Sequence, residues 1–406
     1  MDIRTDPEAP LPPAPDPWAG SEMPSRRDGP PFHMTEMIEA EPALARRLLE
    51  RLADPAGPAA RLALELRSAA ELGRPILVTG CGTSEHGAIA TVAILREALR
   101  AVGLPGTSGW TGTPVALQAF EASLEAELAG PGGVVIGISH EGGTWATNQA
   151  LERARASRAR VALITVSDRS PGAALADIVV ATDEMDESWC HTIGYISPIL
   201  AASAIAGHLT GRPISPPAAT AALRAGLAEA ELRRTEVMAG RLADIERLIV
   251  VGSGADRPAA RELVLKVEEG THVPAAMRDL ETMLHGHLPG TDARTGLVLV
   301  LADASSGAEA RVRRATDVLR AASEIGVRAG AILLARFAAT IDPTLTPAGR
   351  LIVPASPGLP PTIGALLGSV VPLQLLAERL ARARGVNPDP MRRDDPIYLR
   401  AANAAG

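Results

Sequence analysis

Two short stretches of the sequence place hydroxyl side chains directly after a buried, β-branched segment. The first is "GCGTS" at residues 80–84, and the second is "ISHEGGT" at residues 138–144. Hydroxyl groups and the free backbone N–H groups at the start of a helix together form a good anion site. Neither stretch has the Gly-Lys-Ser/Thr of a Walker loop, and "GCGTSE" lacks the third glycine of a dinucleotide-binding turn. The two turns therefore predict a site for a small phosphorylated ligand.

Both turns also have a structural interpretation. Serine and threonine cap helices in many proteins, and glycine serves tight turns that bind no ligand. Either turn alone leaves the two interpretations about equally open. Two such turns in one sheet, neither of them with a lysine, favour the phosphorylated ligand.

The turns lie in a chain where apolar segments alternate with helical patterns. The predicted strands of the first half are "PILVTG", "GGVVIGIS", "RVALITVS" and "DIVVAT", and helical stretches such as "EHGAIATVAILREALRAVG" separate them. This alternation predicts an α/β fold with a mainly parallel sheet between two layers of helices. Ligands of such sheets bind beyond the carboxyl ends of the strands, which is where both turns lie.

The pattern restarts after a helical stretch at residues 218–243. Four more apolar segments follow, namely "RLIVVGSG", "GLVLVLAD", "GAILLAR" and "GRLIVPAS". Similar glycine turns at 80–82 and 252–254 predict two copies of one α/β domain. The predicted units are a disordered Pro-rich tail at 1–31, a first domain at 32–217 with a lead-in helix, a second domain at 218–385, and an irregular polar tail at 386–406.

Composition narrows the function further. The chain has 406 residues, is 46% hydrophobic and carries a net charge of −7 without a dense Lys/Arg run, which argues against a nucleic-acid partner. No stretch approaches the ~18 uninterrupted apolar residues of a membrane helix, and no signal-peptide pattern opens the sequence. Cys81 and Cys190 lack the spacing of a disulfide framework or a metal site. We therefore expect a cytoplasmic protein with no metal, cofactor, nucleic-acid or membrane partner.

"CGTS" followed by the strand-ending Ser-x-x-Gly-x-Thr turn resembles the sugar isomerase (SIS) domain family. The two-copy layout resembles the tandem-SIS sugar-phosphate isomerases and deaminases, including the isomerase half of glucosamine-6-phosphate synthases. Three further pieces resemble family elements in the same order: "MTEMIEAEP" at 34–42, "VGSGADRPAARELVLKVEE" at 251–269 and "LHGHLPG" at 284–290. The resemblance covers most of residues 34–390 and implies two three-layer α/β/α domains.

The resemblance also implies roles for particular residues. The substrate- or phosphate-binding positions are Thr83, Ser84, Ser139, His140, Thr144 and Thr192. Glu269 falls on the isomerase base, and His285 falls on a ring-opening histidine that the family supplies across a subunit interface, which implies a homodimer. Isomerisation through an enediol needs these two residue types, a carboxylate near the carbon acid and an acid–base group. His140 and Glu141 depart from the family's turn, which usually has Gln and Ser there.

Each catalytic candidate also has a structural interpretation. Glu269 would then be an exposed acid at a helix end, and His285 would be a loop histidine bonded to backbone. We expect His191, His272 and His287 to be structural.

Two features of the family are missing from the sequence. Asp2 stands where a glutaminase would have its nucleophilic cysteine, so glutamine-dependent amide transfer is not expected. Of the 40 basic residues only Lys266 is a lysine, so the tail "DPIYLRAANAAG" has no amine for a Schiff base. The favoured function is therefore a sugar-phosphate or aminosugar-phosphate isomerase or deaminase. A non-catalytic phosphosugar sensor and an assembly scaffold are the alternatives. The lack of a DNA-binding helix-turn-helix segment and the retained Glu269 and His285 count against the sensor, and the intact hydroxyl turns count against the scaffold.

Overall fold

The computed structural model describes residues 6–104, 112–125 and 127–404. The first half forms a parallel sheet that in this part of the chain has five strands, in the order β2-β1-β3-β4-β5. Its elements are α1 (His33–Leu52), α2 (Pro58–Glu71), β1 (Ile76–Gly80), α3 (Thr83–Ala101), β2 (Pro114–Gln118), α4 (Ala119–Leu124), β3 (Val134–Ile138), α5 (Trp145–Ala156), β4 (Arg160–Thr165), β5 (Ile178–Ala181) and α6 (Ile193–Thr210).

The second half repeats this topology. Its elements are α7 (Pro216–Gly226), α8 (Glu229–Leu242), β6 (Arg247–Val251), α9 (Arg257–Thr271), β7 (Ala275–Arg278), α10 (Leu280–Thr282), β8 (Thr295–Leu301), α11 (Ala308–Ile325), β9 (Arg328–Leu334), α12 (Ala335–Ala338), β10 (Gly349–Val353), α13 (Pro361–Ala383) and α14 (Pro396–Ala404). The parallel sheet runs β7-β6-β8-β9-β10, which is the first sheet's order with corresponding strands. The repeat predicted from the two glycine turns is confirmed by the two sheets.

The two strands that the sequence did not predict, β2 and β7, occupy the same edge position in their sheets. All the residues of β7, and four of the five in β2, are only partly buried. Edge strands of this kind lack the continuous apolar run that marks a central strand. The stretch 218–243, expected to be helical throughout, is divided between α7 and α8, which end and begin at Gly226 and Glu229.

Two apolar helices join the halves into one hydrophobic core. Helix α13 packs against α1 and α6 of the first half and against α7, α8 and α9 of the second. By length and composition α6 and α13 could each cross a membrane, but 89% and 94% of their apolar windows are buried inside the protein. Burial on all sides explains why they are apolar all round.

Part of the predicted disordered tail packs against the first domain, which corrects that expectation for the described residues 6–31. The Leu11 side chain is buried, and its N–H donates to Glu184 Oε2 at 2.9 Å. Arg27 forms an ion pair with Glu36 of α1 at 2.8 Å. An extended Pro-rich segment can pack through single side chains without any periodic pattern, because proline needs no backbone donor satisfied. The C-terminal tail differs too, since it contains α14.

Candidate active site

A cavity of about 590 Å³ lies at the carboxyl edge of the first sheet. Five of the eight predicted residues line it, namely Thr83, Ser84, His140, Thr144 and Glu269. A larger cavity, of about 680 Å³, lies beside the C-terminal end of α13 and contains none of the eight. The geometry of the smaller cavity therefore decides what the predicted residues can do.

The turn between β1 and α3 brings Thr83 and Ser84 to the cavity. A Cβ atom on Gly80 would lie 2.6 Å from the Ser84 carbonyl oxygen, and Gly82 has φ +55°, so this tight turn requires both glycines. The Thr83 hydroxyl donates to Glu262 Oε1 at 3.2 Å. Thr83 therefore joins the two halves at the cavity wall, while Ser84 stands beside it at the start of α3.

The turn between β3 and α5 places its two predicted phosphate ligands differently. The Ser139 side chain is buried, and its Oγ accepts the Gly142 N–H at 3.1 Å and lies 3.2 Å from Thr144 Oγ1. Ser139 is not among the lining residues, so it holds the turn from behind. Thr144 is exposed at the N-cap of α5 and lines the cavity, and its hydroxyl makes no capping bond but lies within hydrogen-bond distance of Ser139 Oγ.

Thr192 is not at the cavity surface. It is fully buried, its Oγ1 donates to Asp186 Oδ1 at 3.3 Å, and its carbonyl accepts from Gln374. The Asp186 carboxylate also accepts the backbone N–H groups of Thr192, Ile193 and Gly194 at 3.1, 3.0 and 2.7 Å. Asp186 thereby caps the N-terminus of α6, and Thr192 serves that cap.

Asp186 also fixes two histidines that line the cavity. His191 Nδ1 lies 3.0 Å from Asp186 Oδ2, whereas His140 Nε2 accepts the Asp186 backbone N–H at 3.1 Å. The centroids of the two imidazole rings are 5.3 Å apart. Burial disfavours a charged His191, but the hydrogen bond and negative charge of Asp186 outweigh it and raise the His191 pKa. Burial lowers the pKa of His140, so that ring stays neutral and keeps its acceptor nitrogen.

The same three residues could be considered as metal ligands. One ligand atom from each of His140, Asp186 and His191 lies within 4.8 Å of the others. However, the His140 Nε2 lone pair receives a backbone N–H, and three amides already satisfy the carboxylate. The donor set therefore fits a hydrogen-bonded Asp–His pair better than a cation.

Glu269 reaches the cavity from α9 of the second half, with 16% of its side chain exposed. Its Oε2 lies 2.5 Å from Lys266 Nζ, and this lysine is fully buried and lies 3.6 Å from Glu262 Oε1. Glu262 Oε2 is in turn 2.7 Å from His86 Nδ1. Burial disfavours the charged lysine, but the charge of Glu269 above all outweighs it and raises the Lys266 pKa. Lys266 therefore stays cationic and holds the Glu269 carboxylate at the cavity.

His285 is not brought to Glu269 within one chain. It lies in a kinked turn at Met283–His287, its side chain is 73% exposed, and its Nε2 pairs with Glu281 at 2.7 Å. It does not line the cavity. The structure of a single chain therefore gives no support to the pairing of the two predicted catalytic residues in cis.

Residues from both terminal segments line the cavity, and sequence reasoning missed them. Arg393 stacks on Trp189, with its guanidinium carbon 4.6 Å from the ring centroid. Trp18 lines the cavity from the N-terminal segment, and the Ser21 N–H donates to Glu141 Oε2 at 3.2 Å. No periodic or motif signal marks these residues. With Trp189 they add two tryptophans and one arginine to the lining of the cavity.

The chain is similar in sequence to a curated aminotransferase. No protein-family model matches it. It is 26% identical over 372 residues to the glutamine–fructose-6-phosphate aminotransferase (isomerizing) of Gloeobacter violaceus, a match that covers 88% of this chain and 56% of that protein. The chain thus spans little more than half the length of this curated relative.

Solved structures show the same fold. The C-terminal domain of glucosamine-fructose-6-phosphate aminotransferase from Francisella tularensis has a TM-score of 0.74 at 17% identity, covering 90% of this chain and 100% of that one. The tagatose-6-phosphate ketose/aldose isomerase of Escherichia coli has a TM-score of 0.66 at 18% identity, covering 90% and 97%. The glucosamine-6-phosphate deaminase of Thermotoga maritima has a TM-score of 0.59 at 16% identity, covering 88% and 96%. The expected tandem SIS-type fold and the resemblance are confirmed.

Proposed function

We propose that this tandem SIS-type chain binds a sugar phosphate in the 590 Å³ cavity and isomerises it between aldose and ketose forms. An aminosugar phosphate, with loss of ammonia, is included in the proposal. One observation carries it above all: the Glu269 carboxylate faces the same cavity as the hydroxyl turn that ends at Thr144. A base and hydroxyl groups that line one cavity suit a small substrate with an acidic carbon and a phosphate.

The anion site is supported by two helix N-termini. Ser84 at the start of α3 and Thr144 at the N-cap of α5 both line the cavity. The positive ends of these two helix dipoles therefore lie at the cavity, whereas the first amides of α6 are already bonded to Asp186. Arg393 adds a full positive charge, and the Glu141 carboxylate, tied to the Ser21 N–H, lies among them. We propose that the phosphate binds at these helix N-termini, with Arg393 as its counter-charge, while Glu141 of the same turn as Thr144 stays bonded to the Ser21 N–H.

The chemistry would begin with Glu269. Its carboxylate takes the proton from C2 of an open-chain aldose, and the released electron pair forms the C1–C2 double bond of an enediolate. Return of the proton to C1 gives the ketose. Lys266 would keep Glu269 ionised and oriented, and because this amine is fully buried and protonated it would not form an imine. The reaction would therefore use the free carbonyl.

Turnover tests the proposal directly. The protein is incubated in D₂O with a panel of hexose and hexosamine phosphates, and NMR follows deuterium entry at C1 and C2 and any release of ammonia. Exchange or conversion of at least one substrate is expected. Tight binding without exchange for every member would instead favour the phosphosugar sensor.

Replacing Thr144 with valine should weaken sugar-phosphate binding by about 10- to 100-fold, as expected for a lost hydrogen bond to a charged group of ~1.5–3 kcal/mol. Calorimetry gives the affinity. Ser139→Ala is the matched control on the same turn. It should act mainly on stability, by about 1 kcal/mol, because Ser139 lies behind the turn. An unchanged affinity for Thr144→Val would show that this turn does not hold the phosphate.

The exposed His285 supports a composite site in a homodimer, which is a second part of the proposal. Glu269→Gln and His285→Ala homodimers should both be inactive. If the histidine acts on the partner's site, an equal mixture should recover up to about one quarter of wild-type activity, because half of the dimers are mixed and each has one intact site. Native mass spectrometry checks that mixed dimers form. No recovery in verified mixed dimers would contradict a histidine supplied in trans.

A further inference from the structure

His191 and His140 are both brought to the same cavity as Glu269, and of the two only His191 has, in the described part of the chain, a ring nitrogen held by a carboxylate within 3.0 Å. Its Nδ1 is 3.0 Å from Asp186 Oδ2, and its side chain is 27% exposed. Among the described residues no hydrogen bond involves His191 Nε2. The ring is therefore anchored by one nitrogen and leaves the other for a ligand in the cavity, an arrangement typical of acid–base histidines.

The carboxylate behind His191 is held firmly. Asp186 is buried, and three consecutive amides at the start of α6 donate to it. Burial opposes its ionisation, but the hydrogen bond and charge of His191 outweigh burial and keep the Asp186 pKa below its usual range. A fixed carboxylate both sets the tautomer of the imidazole and stabilises its protonated form.

We propose that His191 is the acid–base group that exchanges protons with the substrate oxygens while Glu269 works on the carbons, with Asp186 as its positioning residue. This inference rests on the proposed function, and it places the oxygen chemistry within one chain. His191 would act during isomerisation, and His285 would be left to ring opening.

Glu269 takes the proton from C2, and the electron pair of the C2–H bond forms the C1=C2 double bond. The π electron pair of the C1 carbonyl moves to O1, which takes a proton from His191 Nε2. Neutral His191 then removes the proton from the O2 hydroxyl, whose electron pair forms the new carbonyl at C2. The π electrons of the C1=C2 bond then take the proton back from Glu269, which forms the new C1–H bond. Both residues return to their starting states, and no further reactant is needed.

Several titratable groups face His191. Asp186 lies before α6, Lys266 and Glu269 belong to α9, and the neutral His140 ring belongs to the turn after β3. Burial and Lys266 lower the His191 pKa, whereas Asp186 and Glu269 raise it, with the net shift upward. The imidazolium therefore persists to higher pH than that of a free histidine. Activity that needs it should fall as the pH rises through the His191 pKa.

The test compares His191→Gln and Asp186→Asn with wild type on a substrate found in the panel. His191→Gln should lower kcat by about 10²- to 10⁴-fold with little change in KM, the range for a lost acid–base catalyst. Asp186→Asn should shift the alkaline limb of the kcat–pH profile to lower pH, since the carboxylate raises the His191 pKa. Thr144→Val is the control that should raise KM and leave the limb in place. Because Asp186→Asn weakens the α6 cap, the folded state of each variant is checked by circular dichroism.

The possible results separate the two proposals. A wild-type protein that exchanges no sugar phosphate overturns the proposed function and this role with it. An active wild type whose His191→Gln variant stays within threefold overturns only this inference. Bound metal at one equivalent, lost in both variants, would show that the cluster is a cation site. A His191 Nδ1–H signal in ¹⁵N-edited NMR that is insensitive to Asp186→Asn would contradict the positioning role without any need for turnover.

Discussion

Glutamine in place of Glu269 is expected to abolish deuterium exchange at the sugar carbons and to lower kcat by about 10²- to 10⁴-fold, the usual contribution of a general base. The amide has the same shape but cannot take the proton. Substrate affinity should change little, because the proposed phosphate ligands belong to the starts of α3 and α5 and not to α9. Wash-in of deuterium, followed by NMR, measures the exchange step, and calorimetry measures the affinity.

The neighbouring Glu268 provides a matched control for this experiment. It lies on the same helix, is exposed and accepts the Ala275 N–H at 3.0 Å, but it does not line the cavity. Glu268→Gln should therefore keep near wild-type exchange. Retained exchange in Glu269→Gln, or equal losses in both variants, would mean that Glu269 is not the base.

Replacing Lys266 with methionine should lower the free energy of unfolding by about 3–5 kcal/mol, the usual cost of breaking a buried ion pair. Both Lys266 and Glu262 have no exposed side-chain surface, and Glu269 is mostly buried. The substitution leaves two carboxylates without their cation, and only His86 and Thr83 still bond to Glu262. Urea denaturation at neutral pH measures the loss.

The double variant Lys266→Met/Glu262→Gln tests the physical reason. Since an amide costs far less to bury than an unpaired carboxylate, it should recover part of the lost stability. A loss below about 1 kcal/mol for Lys266→Met alone would contradict the ion-pair account, because that is the range of exposed pairs.

The fold could be predicted from the sequence because its main signals are local. The central strands carry continuous apolar runs, and burial on both sides of a parallel sheet demands such runs. The turns after β1 and β3 are also local, since Gly82 and Gly142 have positive φ and a Cβ on Gly142 would lie 2.1 Å from Ser170 Oγ. The edge strands and the packed N-terminal segment have no comparable local signature.

The glycine turns after β1 and β6 are similar in sequence but have different surroundings, so the local pattern does not predict which side chains lie beside each turn. In the second half Arg311 donates to Asp303 Oδ2 at 2.8 Å and to Ser305 Oγ at 3.0 Å. Buried Asp256 accepts the backbone N–H groups of residues 302 and 303 beside them. The guanidinium lies within 3.3 Å of the Cβ position of Gly254 and so fills this strand end. The sequence shows similar turns, and their different surroundings come from side chains far along the chain.

Sequence alone determined the fold class, the repeat and the hydroxyl turns, because hydrophobic periodicity and glycine geometry act over a few residues. Only the tertiary structure decided which polar groups work together. Thr83 and His86 of α3 meet Glu262 of α9 across almost 180 residues, with sequence separations of 179 and 176. Asp186 bonds to His191, which the sequence favoured as structural, at the cavity, whereas His285 pairs with Glu281 outside it. Burial and partner charge set the protonation of such groups, and neither is known until distant segments have packed.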